Sequence, residues 1–113
     1  MKQTKRFAFT ITASPLTGDQ VSRALRFAHA IEHEQHHLCQ IFFYGDGVLC
    51  ARADSETRGA WEMIQQQQAC SLYVCVSAAQ RRGIDILNPP WQLVGLGDWV
   101  EGMDTDHHLH FGD

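Results

Sequence analysis

Three short runs of the chain, RFAFTIT (6–12), LCQIFFY (38–44) and SLYVCV (71–76), set the limits on what it can fold into. Each is rich in aromatic and β-branched residues and too short for an independent helix, so each reads as a strand. The third does not alternate, as suits a strand covered on both faces. Helical spacing follows every one of them. After the first, Val21, Ala24, Leu25, Ala28 and Ile31 recur three or four residues apart, within a helix spanning about residues 19–35. After the second, Gly-Asp-Gly marks a turn and residues 50–57 read as a loop. Trp61 and Ile64 then lie on a helix over about residues 57–69. After the third, residues 77–82 read as a helix closed by Gly83.

Thr17 with Gln20, and Ser77 with Gln80, have the spacing of capping boxes, which places helix starts at those two hydroxyl residues. Beyond residue 85 the pattern thins. It predicts a short strand at 92–95, a helical turn near 98–103 and a last strand, HHLHF, at 107–111. Strands alternating with helices make a parallel sheet with helices on both faces. The expectation is one α/β domain over residues 1–113, in three α/β/α layers, with a mainly parallel sheet of about five strands. Ligands of such sheets bind beyond the carboxyl ends of the strands. Four segments should meet there: SPLTG, YGDGV, Cys75 with Ser77, and GLGDW.

Charge and hydropathy narrow the function. The net charge is −4, the only lysines are Lys2 and Lys5, and the arginines form no basic stripe. Direct nucleic-acid binding is therefore disfavoured and a protein partner or assembly is favoured. No apolar run approaches the roughly 18 residues of a membrane span. The N-terminal apolar patch alternates and runs into SPLTGDQ without a small-residue cleavage site, so it reads as a strand and not a signal peptide. A cytoplasmic location is expected. Phe42, Phe43, Tyr44, Trp91 and Trp99 make a high aromatic content for 113 residues, as interface cores do.

The four cysteines are Cys39, Cys50, Cys70 and Cys75, and none belongs to a CxxC pair. Cys70 and Cys75 stand at opposite ends of one strand, roughly 16 Å apart at about 3.3 Å per residue. A disulfide needs Cα atoms within about 7 Å, so those two do not pair. Cys39 and Cys70 begin their strands, at the end away from the expected site, and read as core. Cys50 lies beyond the Gly-Asp-Gly turn and is the candidate for a second thiol near the site. Cys75 stands where a strand gives way to a helix. Unpaired amides and the positive end of the helix dipole favour a thiolate at such a place. Packing alone also accounts for a cysteine in a buried strand, and local pattern leaves both readings open.

The runs FFYGDGV (42–48), LYVCVSAAQRRGI (72–84) and LVGLGDW (93–99), with the Trp61 helix between the first two, occur in that order. Together they resemble the DsrE/TusD family of sulfur-carrier subunits, and the opening strand and helix are similar to its first βα unit. The resemblance spans nearly the whole chain. It implies that Cys75 accepts sulfane sulfur as a persulfide and hands it to an acceptor cysteine, with no cofactor or metal. It implies TusC/DsrF-like and TusB/DsrH-like partner subunits, beside donor and acceptor carrier proteins. The relay served is either tRNA 2-thiouridine synthesis or sulfur oxidation. Tyr44 and Asp46, on the turn beside Cys75, and Ser77, just after it, are the expected partner- or substrate-binding residues. The chain departs from the family in one place. Residues 85–93, DILNPPWQL, replace a longer segment with its own helix, and Asn88-Pro89-Pro90 makes a stiff extended link instead.

Two other readings stand beside this one. A subunit of the same fold serves assembly alone if its cysteine is packing. The histidines His29, His33, His36 and His37, with the HHLH cluster at 107–110, suit a small metal-binding protein. A solvated helix flank and a polar edge strand explain them equally simply.

Overall fold

The computed structural model describes residues 3–95 and 105–112. In chain order the elements are β1 (Arg6–Ile11), α1 (Gln20–His33), β2 (His37–Phe43), a 3-10 helix (Gly45–Ala51), α2 (Arg58–Gln68), β3 (Ser71–Cys75), α3 (Val76–Gln80), β4 (Trp91–Val94) and β5 (His107–Phe111). All four strand pairings are parallel, in the order β4-β3-β2-β1-β5. The fold is the expected α/β type with a five-stranded parallel sheet. The helical turn expected near 98–103 lies outside the described residues.

Period and burial agree along α1. Val21, Ala24, Ala28 and Ile31 form its buried stripe. Alanines in that stripe let α2 come close, and Gln68 Nε2 donates to the Ala28 carbonyl at 3.0 Å. Because α1 and α2 contact each other, they lie on one face of the sheet. Trp61 of α2 is fully buried and meets Phe43 edge-on at 5.4 Å, while Trp91 of β4 packs on the same ring at 5.3 Å. Aromatic pairs in this geometry contribute about 0.5–1.5 kcal/mol beyond the area they bury. Glu62 fixes the cluster: its Oε2 accepts from Trp91 Nε1 at 2.7 Å and from Arg58 Nε at 3.1 Å. One carboxylate thereby ties the edge strand β4 to α2.

The opposite edge strand, β5, is held by side chains as well as by its ladder. Thr10 Oγ1 lies 2.6 Å from His108 Nε2, and Thr12 Oγ1 lies 3.1 Å from His110 Nε2. His107 packs over Phe7, and Asp106 accepts the Arg6 amide at 2.8 Å. The histidine-rich tail is thus a polar edge strand.

Four details differ from expectation. Neither hydroxyl residue caps its helix. Asp19 precedes α1 and Cys75 precedes α3, and neither makes a side-chain cap bond. Gly18, at φ +68°, adds a turn residue between Thr17 and α1, which carries the hydroxyl out of capping range. Ser77 lies inside α3, because the chain passes from strand to helix with no connecting residue. Cys39 is half-exposed instead of core. The β1–β2 register slips between Phe7 and Ala8, and Cys39 is the extra residue left without a partner there. The turn after β2 continues as the 3-10 helix through Ala51, so Cys50 lies in regular structure and not in a loop.

The 3-10 helix rests on the end of β1 at Gly47, where a Cβ would lie 2.0 Å from the Ile11 carbonyl oxygen. Gly47→Ala must push the two backbones apart, and overpacking of this kind costs about 1–3 kcal/mol. Denaturant titration should show the midpoint falling at unchanged slope; an unchanged midpoint would remove the constraint. A second expectation concerns acid. Burial, together with the neighbouring His110, holds His108 below the ordinary imidazole range. The unfolded chain then binds the proton more readily than the folded one, so stability falls as pH drops through and below about 6.5. The melting temperature should fall from pH 7.5 to 5.5, and His108→Gln should flatten that slope. Equal slopes would show that His108 plays no part.

Candidate active site

Cys75 is the last residue of β3 and immediately precedes α3. The direct junction has a simple origin. "LYVC" ends the ladder opposite Val94 of β4, and "VSAAQ" is short-chained enough to turn at once into helix. Cys75 is only 2% exposed. Ser77, two residues further on, is exposed, and its Oγ lies 3.4 Å from Cys75 Sγ, within hydrogen-bonding reach of sulfur. The thiol therefore lies one hydroxyl beneath the surface.

The 3-10 helix packs against both β3 and α3 and brings the other two expected residues to this edge. Tyr44 precedes it in extended conformation, with its amide donating to the Ile11 carbonyl at 2.9 Å, its ring stacked on Phe42 and its side chain part-exposed. Asp46 has a partner that the sequence reading did not assign. Arg82 donates Nε and Nη2 to Asp46 Oδ1 at 3.1 and 2.9 Å, and Nη1 to the Ala78 carbonyl at 2.9 Å. One guanidinium thus joins the far end of α3 to the start of the 3-10 helix. Spacing alone cannot reveal the pair, because 36 residues separate its members.

Three of the four segments expected at the carboxyl edge meet there; most of GLGDW lies outside the described residues. Strand order reverses beside β1, since the chain steps outward to β4 and returns on the other side as β5. A cleft of about 360 Å³ opens at that reversal, lined by Thr12, Ala13, Ser14, Thr17, Gln20, Asp46 and Gly112. Crevices at such reversals are the habitual ligand sites of open α/β sheets. Thr17 and Gln20, expected as a helix cap, instead line this cleft, and Cys75 is not among its lining residues.

The remaining thiols differ in kind. Cys50 is fully buried, and burial pushes it up to about 12. That removes it as a second reactive thiol. Burial pushes Cys70 up to about 12 and also raises Cys39. Among the described residues no group of three or more histidine, cysteine or acidic side chains is placed to hold a metal. His29 and His33 are exposed on α1, and His36 Nδ1 accepts the Lys5 amide at 3.0 Å. Among the described residues no helix is long and apolar enough to cross a membrane.

The fold is similar to that of the E. coli ychN protein, at TM-score 0.79 and 18% identity, covering 96% of this chain and 100% of that one. A Methanobacterium thermoautotrophicum protein of unknown function matches at TM-score 0.73 and 20% identity, over 94% of this chain and 98% of that one. In sequence, the chain is 38% identical to the protein named sulfurtransferase TusD in Salmonella arizonae and 37% identical to that of Klebsiella pneumoniae. Both alignments run over 120 residues and cover 88% of this chain and 94% of the relative. An alignment longer than the 113-residue chain means that the relatives carry residues it lacks. The model of the DsrE/DsrF-like family matches residues 5–111, and the chain belongs to that family.

Proposed function

We propose that the chain is a sulfurtransferase of a sulfur relay and that Cys75 carries the sulfur as a persulfide. The observation that supports this most is the position of Cys75. It stands at the carboxyl edge of the sheet with an exposed serine hydroxyl 3.4 Å from its sulfur, whereas Cys70 lies at the opposite end of β3 and Cys50 is fully buried in the 3-10 helix. In the transfer step the Cys75 thiolate attacks the outer sulfur of a donor persulfide. A new sulfur–sulfur bond forms, the donor's own bond breaks, and the donor leaves as a thiolate that takes up a proton. Cys75 is oxidised to the persulfide level and the donor is reduced to a thiol, so no external oxidant or cofactor enters. Attack by an acceptor cysteine on the outer sulfur repeats the exchange and restores the Cys75 thiol.

Ser77 has the reach to hydrogen-bond the sulfur in either state, and Tyr44 and Asp46 flank the approach. Donor and acceptor are carrier proteins in this reading. The assembly is one with TusC/DsrF-like and TusB/DsrH-like subunits, working in the cytoplasm on tRNA 2-thiouridine synthesis or on sulfur oxidation. The 2% exposure of Cys75 favours a second reading, in which the thiol is packing and the subunit serves assembly.

Sulfur loading separates the two. Incubation with a sulfane-sulfur donor should add about 32 Da, one sulfur atom, and peptide mapping should place it on Cys75. Cys75→Ser should abolish uptake while the circular dichroism spectrum stays unchanged. Uptake by the folded serine variant at the wild-type rate would assign Cys75 to the core.

A further inference from the structure

A groove larger than the reversal cleft lies on the other side of the Asp46–Arg82 pair and is not used by the proposed chemistry. It has a volume of about 690 Å³ and runs between the segment at 51–58 and the link at 82–88. Ala51 and Ile84 are buried in its lining, and Ile86, at 85% exposure, is the most exposed large apolar side chain described. Arg52, Arg58 and Arg82 line it against Asp54 and Asp85. Three of the chain's nine lysines and arginines therefore line one groove of a molecule whose net charge is −4.

Two of those guanidiniums keep donors in reserve. Among the described residues, Arg52 bonds only through Nη2, toward Asp54, and Arg58 only through Nε, toward Glu62. The planar fork of arginine suits paired hydrogen bonds to a carboxylate. The Arg52–Asp54 pair is exposed and therefore weak, so exchanging one carboxylate for another costs little. The far wall has a reserve of a different kind. Among the described residues, the backbone of Asp85, Ile86 and Leu87 makes no hydrogen bond, and the turn bonds of this link involve only its two ends. Three consecutive residues whose backbone groups bond no described residue leave donors and acceptors free for a bound chain.

We propose that this groove docks an extended, acidic segment of a partner protein. Its backbone pairs with residues 85–87, its apolar side chains pack on Ile86 and Leu87, and its carboxylates take the free forks of Arg52 and Arg58. Apolar contact with arginine at the rim is the composition common at protein interfaces. The proposal does not depend on the chemistry of Cys75.

A fluorescent octapeptide of alternating glutamate and leucine serves as the probe, with its glutamine–leucine and lysine–leucine counterparts as controls. At low salt the acidic peptide should bind at least about tenfold more tightly than either control, and 0.5 M salt should remove most of that advantage. The double variant Arg52→Gln with Arg58→Gln should weaken binding by about tenfold, the loss expected for charge-assisted hydrogen bonds. Ile86→Asp should do the same, and Arg26→Gln, on the exposed side of α1, should change nothing. Amide shift changes on titrating the wild-type protein should concentrate at 51–58 and 82–88, which keeps the test valid if a variant misfolds. Equal binding of the glutamine peptide, shifts elsewhere, or full displacement by millimolar inorganic phosphate would overturn the proposal. So would a homodimer dispersed by Ile86→Asp, which would assign the groove to a second copy.

Discussion

The packing of Trp61 and Trp91 on Phe43 is the contact through which sheet, helix layer and edge strand are joined. Phe43 ends β2 and pairs with Val74 of β3. Trp61 brings α2 onto it, and Trp91 brings in β4, two strands away in the sheet. Emptying a fully buried tryptophan site costs about 3–5 kcal/mol, a large share of the stability of a single domain. The carboxylate of Glu62 anchors β4 to α2, because it receives the Trp91 indole and is itself held by Arg58. Cys75 is paired on one side by this same β4, so the position of the thiol is inherited from the aromatic cluster beneath it.

At the carboxyl edge, geometry comes from close backbone contact and one ion pair. Gly47 lets the 3-10 helix sit directly on β1, and Gly112 does the same for the end of β5, where a Cβ would lie 2.3 Å from Thr12 Oγ1. Asp46 lines the cleft at the strand reversal and Arg82 lines the groove beyond it. Their ion pair is therefore a wall shared by two clefts. Its members are part-exposed, at 60% and 27%, so its strength is modest and sensitive to salt.

Much of this was legible in the sequence, for reasons that can be named. RFAFTI, LCQIFF and SLYVC are short, apolar and followed by helical spacing, which leaves a parallel α/β sheet as the economical solution. HHLHF read as a last strand, but its histidines suited a polar edge and a metal cluster equally well. Helix starts were not legible. Capping-box spacing is local, whereas Gly18 and the direct β3–α3 junction shifted the true starts away from Thr17 and onto Cys75. Cys39 was misplaced because a register slip depends on two strands and is written in neither alone. Cys50 was misplaced because a Gly-Asp-Gly turn looks the same whether it opens a loop or a 3-10 helix. The Asp46–Arg82 pair and the arginine groove are products of folding, assembled from segments far apart in the chain.

The depth of Cys75 bears on how long a loaded sulfur would last. A persulfide on an open surface is exchanged by any small thiol that collides with it, and its lifetime is set by the surrounding thiol concentration. On a side chain 2% exposed, collision would not be enough, and a persulfide carried there would leave only once the residues around it moved. Retention then becomes a property of the protein instead of the medium. The shallow burial that makes the cysteine look like packing is also what a carrier needs if sulfur is to leave by delivery and not by leakage.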